Sequence, residues 1–143
     1  MSSIALIGKR LTMAIDLNRP VLVVEDYLEM RSTMRMCLEE LEFTQVFEAD
    51  SVKSAKTLLT LHEFALIIAD WQMPELTGVD FLRMVRASFV HREVPFVMVT
   101  AYASKELVQQ AMELHVSGFL VKPFDLSSLA QAIAAAGESG KLE

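Results

Sequence analysis

The sequence predicts an α/β fold in which a doubly wound, five-stranded parallel sheet is covered by five helices. Apolar runs recur along the chain without polar alternation, as expected of strands that are buried on both faces. Between these runs, apolar residues recur about every 3.6 positions, which is the period of a helix. The connections are short, so each helix would lead directly into the next parallel strand.

The strands are predicted from apolar runs and from the polar residue that follows them. Three runs are strong: Val21–Val24, Ala65–Ala69 and Phe96–Val99. Two weaker runs complete the set: Gln45–Phe47 and Phe119–Val121. The polar residues that follow the three strong runs and the last run are, in order, Glu25 with Asp26, then Asp70, Thr100 and Lys122.

The helices are predicted from the spacing of apolar residues and from capping residues. The first two are a helix over 28–41 with Leu28, Met34, Leu38 and Leu41 near one face, and a helix capped by Asp50 and Ser51 that carries Ala55, Leu58 and Leu59. The other three are a helix with Val79, Leu82 and Val85, a helix after Ser104 with Leu107, Ala111, Met112 and Leu114, and a helix from Asp125 or Ser127 through Leu129, Ile133 and Ala136 that stops at Gly137.

Both ends of the chain lie outside this pattern. Residues 1–18 form an N-terminal extension in which Ile4, Ile7, Leu11 and Ile15 have helical spacing. Three interpretations of this extension have equal weight: a packing helix, a partner contact and a flexible arm. Residues 137–143 are small and polar and are predicted to be a flexible tail, whose last two residues have the composition of an expression-vector scar. The folded domain is therefore expected over 19–136.

The composition indicates one acidic globular domain. The chain has 143 residues, 52% of them hydrophobic, and 19 acidic against 13 basic residues give a net charge of −6. This balance argues against nucleic acid or an anionic membrane surface as the main partner. Cys37 is the only cysteine, so no intramolecular disulfide is possible and a cytoplasmic location is expected. No apolar stretch is long enough to span a membrane.

The polar residues at the strand ends are the candidate functional site. In an open parallel sheet, ligands bind outside the carboxyl ends of the strands. Glu25, Asp26 and Asp70 would meet there, and three carboxylates in one place need a cation to compensate their charge. Oxygen ligands suit Mg²⁺. With Lys122 as a positive charge and Thr100 as a hydroxyl donor, the group is suited to accepting a phosphoryl group.

Among the three acids, Asp70 is the best candidate for the nucleophile. It ends the central-looking apolar run and precedes a loop that contains Pro74 and Gly78. An aspartate can attack phosphorus and form an aspartyl phosphate. Glu25 and Asp26, which are adjacent, are better interpreted as the pair that holds the metal.

Five short motifs in this order resemble the receiver domain of two-component response regulators, and within it the chemotaxis-type single-domain regulators. They are Val23 to Asp26, Tyr27 to Arg31, Asp70 to Pro74 with Gly78, Val99 to Ala101, and Gly118 to Phe124. The resemblance covers about 19–136. It implies a flavodoxin-like receiver fold with strand order 2-1-3-4-5.

The resemblance also implies residue roles. Asp70 would be the phosphoacceptor. Its phosphorylation and the later hydrolysis of the aspartyl phosphate would depend on Mg²⁺, for which Mn²⁺ could substitute. Asp26, Glu25, Asp70 and the backbone carbonyl of Gln72 would hold the metal. Lys122 would pair with Asp70 and then with the phosphoryl group, and its bond to Pro123 is often cis in this family. Thr100 and Phe119 would form the switch, with Phe119 standing where many members have tyrosine, while Gln72 and Tyr102 occupy positions that tune the rates.

The partners implied are a histidine kinase or histidine phosphotransfer protein and a downstream protein that binds the face formed by the fourth helix, fifth strand and fifth helix. A constitutive interaction module and a phosphate sink remain alternatives. A haloacid-dehalogenase-type phosphatase would need a second aspartate at position 72, which is Gln72. A flavodoxin-like FMN carrier would need a phosphate loop where the chain has Glu25 to Glu29. The three histidines, His62, His91 and His115, are too scattered for a metal site.

Overall fold

The computed structural model describes residues 15–139, which form a parallel sheet with helices on both faces. The strands are β1 (Val21–Val24), β2 (Val46–Ala49), β3 (Leu66–Asp70), β4 (Phe96–Thr100) and β5 (Gly118–Val121). The helices are α1 (Leu28–Glu40), α2 (Val52–Leu61), α3 (Gly78–Ala87), α4 (Lys105–Glu113) and α5 (Leu126–Ser139). The strand order is β2-β1-β3-β4-β5. The predicted fold class and strand order are confirmed.

The sheet separates two apolar cores. On one face, α1 and α5 pack through Met34, Leu38, Leu129 and Ile133. On the other face, α2, α3 and α4 pack through residues that include Ala55, Leu82 and Leu107. Strands β1, β3 and β4 are buried along their whole length, which explains why their sequences are unbroken apolar runs.

The direction in which successive strands are added to the sheet reverses after β2. After β1 it moves outward to β2, and it then returns to place β3 on the other side of β1. Val24 and Ala69 are paired in register, so β1 and β3 end at the same level. This switch point is where doubly wound sheets bind ligands, and here the acidic residues follow directly.

Side-chain caps fix the starts of four helices. The side chains of Ser51, Thr77, Ser104 and Asp125 each accept a hydrogen bond from the backbone N–H three residues later. Such caps satisfy an N–H group that has no partner within the helix. The predicted cap Ser51 is confirmed, and the helix predicted after Ser104 begins there.

Several predicted details were wrong. Strand β2 is shifted toward its carboxyl end, because the charged side chain of Glu48 finds ion-pair partners on α1 and stays in the strand. Leu28 and Met112, assigned to apolar helix faces, are exposed. Helix α5 continues through Gly137 to Ser139, since one glycine in a helix costs only about 1 kcal/mol relative to alanine.

The N-terminal and C-terminal predictions fall largely outside the described residues. This holds for the spacing of Ile4, Ile7 and Leu11 and for the tail residues 140–143. Ile15 is described, and it is buried in the core between the sheet and helices α1 and α5. Within residues 15–139, every helix is too short or too polar to cross a membrane.

Candidate functional site

The acidic residues predicted from the strand ends lie together at the switch point. Glu25 and Asp26 follow β1, and Asp70 is the last residue of β3. Each of the three offers a carboxylate oxygen, and these oxygens lie within 4.8 Å of one another. Glu25 and Asp70 are buried, whereas Asp26 is exposed. Of the three acidic residues, Asp26 is therefore accessible to solvent and the other two are not.

Lys122 bridges the two buried carboxylates. Its Nζ donates to Asp70 Oδ2 at 2.7 Å and to Glu25 Oε1 at 3.1 Å. Its backbone N–H donates to the Thr100 carbonyl at 2.8 Å, which extends the β4–β5 pairing by one residue. The peptide bond between Lys122 and Pro123 is cis, as the resemblance implied.

The electrostatics of this group follow from burial and from the closeness of like charges. Burial, and secondly Asp70, raise the pKa of Glu25 to about 8 despite the opposing effect of Lys122. Burial alone would lower the pKa of Lys122, but Asp70 and Glu25 outweigh it and raise that pKa above its ordinary value. Lys122 is thus not enough to hold Glu25 in its charged form at neutral pH.

The donor set suits a hard divalent cation. Glu25 Oε2 is buried and has no hydrogen-bond partner among the described residues, so a ligand oxygen is left over at the centre of the site. The ligands within reach are carboxylate oxygens, which Mg²⁺ prefers, and the exposed side of Asp26 leaves access for water. A cation here would supply the positive charge that the raised pKa of Glu25 indicates is lacking.

An open depression surrounds the acids. Its walls include apolar and aromatic side chains from the start of α1, from the residue before it and from the loop after β3, among them Tyr27, Met30, Trp71, Met73 and Pro74. Trp71 is half-buried at the edge of the depression. Gln72 also lines it, and its backbone N–H donates to Asp70 Oδ1 at 3.2 Å.

The two candidate switch residues, Thr100 and Phe119, are not among the residues that line the depression. Thr100 is buried, and its hydroxyl donates to the Tyr102 carbonyl at 3.1 Å and accepts from the Tyr102 N–H at 3.2 Å. Tyr102 itself is 77% exposed. Phe119 is half-buried against the core that α2, α3 and α4 cover. The hydroxyl of Thr100 is thus engaged within its own loop.

Sequence reasoning missed one side chain at this site. Arg31 was named only as the end of the motif Tyr27 to Arg31, with no role at the site, yet its guanidinium donates to the backbone carbonyl of Glu25 at 2.8 Å. Its Nε also pairs with Glu48 Oε1 at 3.1 Å. The available signal was Glu48, a charged residue directly after a predicted strand, which indicates a cationic partner without identifying it.

Fold and site together define a doubly wound α/β domain with a lysine-bridged acidic group at its switch point, and comparison with known proteins gives the family. The family model described as "Response regulator receiver domain" matches residues 21–134. The chain belongs to this family, whose members are the receivers of two-component response regulators.

Similar proteins include chemotaxis proteins. "Chemotaxis protein CheY" of Pseudomonas aeruginosa is 37% identical over 113 residues, which cover 79% of this chain and 91% of that protein. "Chemotaxis protein CheY-3" of Vibrio cholerae is 33% identical over 116 residues, covering 81% and 89%. The solved structure of the chemotaxis response regulator CheY4 of Vibrio cholerae superposes with a TM-score of 0.77 at 28% identity, covering 83% of this chain and 98% of that chain.

Proposed function

We propose that this response regulator receives a phosphoryl group on Asp70 and thereby changes its binding to another protein. The observation that carries the proposal is the position of Asp70, at the end of the central strand, within 4.8 Å of two further carboxylate ligands and bonded to Lys122. The donor would be a phosphohistidine of a histidine kinase or of a histidine phosphotransfer protein.

The reaction is a transfer of the phosphoryl group between two nucleophiles. A carboxylate oxygen of Asp70 forms a bond to phosphorus, the phosphorus–nitrogen bond of the donor breaks, and the leaving imidazole takes up a proton. Mg²⁺ held by Glu25, Asp26, Asp70 and the Gln72 carbonyl would neutralise charge on the transferring oxygens, and Mn²⁺ would serve as a substitute. Water later hydrolyses the aspartyl phosphate and returns Asp70 to its free form.

Lys122 and Thr100 would bind the phosphoryl oxygens. Lys122 Nζ already donates to Asp70, so a small movement would redirect it to an oxygen of the new group. The hydroxyl of Thr100 would exchange its bond to the Tyr102 carbonyl for a bond to a phosphoryl oxygen. The loop after β4 would then move inward and Phe119 would change its rotamer.

The proposed output is the face formed by α4, β5 and α5. Tyr102, Met112 and Val121 are exposed apolar side chains on or beside this face. A shallow apolar hollow on α4 is lined by Val108 and Met112, with Lys105 and Glu113 at its ends. Such a surface is suited to a protein partner in the cytoplasm rather than to nucleic acid, in keeping with the acidic net charge.

The test is transfer of ³²P from a phosphorylated donor or a small phosphodonor to the purified protein. Wild type is expected to take up label in the presence of Mg²⁺, and Asp70→Asn is expected to fold and take up none. Asp50→Asn is the matched control, because Asp50 directly follows β2, another strand end, but does not line the depression. Label retained by Asp70→Asn would refute the assignment, and an unlabelled wild type would favour a constitutive interaction module.

A further inference from the structure

Arg31 connects the acidic site to strand β2. Its side chain points from α1 toward the sheet and is only 15% exposed. Nη1 donates to the backbone carbonyl of Glu25 at 2.8 Å, while Nε pairs with Glu48 Oε1 at 3.1 Å. One rigid, planar guanidinium is therefore bonded in two directions, which limits its freedom to move.

The carbonyl that Arg31 binds belongs to the peptide group joining Glu25 to Asp26. Since a peptide group is planar, holding its oxygen fixes the orientation of the whole plane and the directions in which the two acidic side chains leave the backbone. The N–H of Glu25 is also held, because it donates to the Ala49 carbonyl of β2 at 3.0 Å. The backbone at Glu25 is thus fastened on one side by the sheet and on the other by Arg31.

We propose that Arg31 is a positioning residue for the cation site. It holds the Glu25–Asp26 peptide so that both carboxylates face Asp70, and it need not touch the cation or the phosphoryl group. The inference rests on the proposed function, since it concerns the metal site that the phosphoryl transfer would use. Groups that orient metal ligands typically change metal affinity by about 10- to 100-fold when they are removed.

Arg35 provides a matched comparison on the same helix. It lies one turn after Arg31 and pairs with the other carboxylate oxygen of Glu48. Its remaining bonds go to the Val46 carbonyl and to Glu39, so they stay within α1 and β2. The two arginines share their charge and their partner, but only Arg31 reaches the Glu25 carbonyl.

Electrostatics and positioning predict opposite signs for the loss of Arg31. Removing a positive charge near a cation site reduces like-charge repulsion, so a purely electrostatic role would make Mg²⁺ bind more tightly. A positioning role makes Mg²⁺ bind more weakly, because the two carboxylates lose their fixed orientation. Glu48 keeps one arginine in either single variant, so neither variant leaves that carboxylate unpaired.

The experiment is calorimetric titration of Mg²⁺ alone into wild type, Arg31→Met and Arg35→Met, with circular dichroism to verify that each variant is folded. We expect Arg31→Met to weaken Mg²⁺ binding by about 10-fold and Arg35→Met to bind as tightly as wild type or more tightly. Arg31→Lys is the second variant, for use also if Arg31→Met does not fold. It keeps the charge but lacks the planar fork, and it is expected to bind more weakly than wild type.

The outcomes separate this inference from the function on which it rests. Unchanged affinity in both Arg31 variants, or equal losses in Arg31→Met and Arg35→Met, overturns the positioning role and leaves the proposed function standing. A wild type that binds no Mg²⁺ overturns both. If the Mg²⁺ affinities follow the expected order but the protein takes up no ³²P on Asp70, the positioning role is supported. Only the proposed phosphoryl transfer is then overturned.

Discussion

Lys122 lies between two buried carboxylates. Its contribution to the stability of the fold depends on which other positive charges neutralise these carboxylates. Its Nζ lies 2.7 Å from Asp70 Oδ2 and 3.1 Å from Glu25 Oε1. Removing one partner from a buried ion pair is costly because an uncompensated charge stays behind. A divalent cation in the same site would compensate the same two acids. The lysine and the cation should therefore partly replace each other.

We expect Lys122→Met to lower the free energy of unfolding by about 2 kcal/mol when a chelator is present, because Glu25 and Asp70 lose their shared partner. Saturating Mg²⁺ should recover part of that loss, since a ligand that binds only the folded state stabilises it. Urea unfolding with chelator and with Mg²⁺ measures both quantities. Lys56→Met removes an exposed lysine from α2 and should change neither. A Lys122→Met protein as stable as wild type in chelator would contradict this account.

The junction of β3 and α3 places Asp70 by close backbone packing. Gly78 begins α3, and its N–H donates to the Trp71 carbonyl at 2.9 Å. A Cβ at Gly78 would collide with the Asp70 carbonyl oxygen and would lie 2.8 Å from Met98 Sδ. The absence of a side chain is what allows the helix to start so near the end of the strand. The position of the phosphoacceptor candidate therefore depends on this element boundary.

Gly78→Ala is expected to destabilise the protein by about 2 kcal/mol, because the collision is with backbone that cannot rotate away. The gain in helix propensity, at most about 1 kcal/mol, does not offset it. Gly118→Ala is the matched control: the nearest heavy atom to its Cβ would be the Ala132 carbonyl oxygen at 3.7 Å, an ordinary contact. Thermal or urea unfolding of the two variants should separate them clearly. Equal stability would show that the junction relaxes.

The same helix has a capping box that makes its stability depend on pH. Asp80 accepts from the Thr77 N–H at 2.9 Å, and the Asp80 N–H donates to Thr77 Oγ1 at 3.2 Å. The bond from the Thr77 backbone N–H is the main cause that lowers the pKa of Asp80 below its ordinary 3.8. The folded state therefore favours the ionised carboxylate. Its contribution is fully present above the unfolded pKa and is lost as the pH falls through the folded pKa.

Asp80→Asn should accordingly be less stable than wild type near neutral pH, because an amide accepts the Thr77 bond without a negative charge. The difference should be constant down to the ordinary pKa of aspartate and shrink below it. Urea unfolding of both proteins at a series of pH values measures this difference. A stability gap that stays constant into strong acid would mean that the charge of Asp80 does not contribute.

Much of the molecule could be predicted because the sheet is buried on both faces. Burial removes polar alternation from β1, β3 and β4, so their positions are visible as apolar runs, and parallel topology then brings their ends together. The prediction failed where side-chain pairing decides the outcome. Glu48 remains in β2 because Arg31 and Arg35 neutralise it, and no local pattern reveals a partner more than ten residues away. The hydrogen bond from the Thr100 hydroxyl to the Tyr102 carbonyl could not be predicted either, because it depends on the side-chain rotamer of Thr100.

The whole molecule would act as a switch only if an event at Asp70 reaches the output face. Thr100 is the shortest route, because it ends β4 beside β3, is paired with Val121 of β5, and has its hydroxyl bonded to the loop that leads into α4. A phosphoryl oxygen that takes this hydroxyl would release the loop. The equilibrium between the two loop positions shifts only by the difference between the free energies of the hydrogen bonds that Thr100 makes in the two positions.

We therefore expect beryllofluoride with Mg²⁺, as a phosphoryl analogue, to change amide hydrogen exchange of wild type in the loop 101–104 and in β5. Thr100→Val keeps the shape of the side chain but not the hydroxyl, so it should bind Mg²⁺ normally while the exchange changes in those two segments disappear. Thr60→Val, on the exposed side of α2, is the control and should respond like wild type. An unaltered response in Thr100→Val would mean that the signal leaves Asp70 by another route, with Lys122 as the next candidate because its backbone N–H bonds the Thr100 carbonyl and its Nζ bonds Asp70.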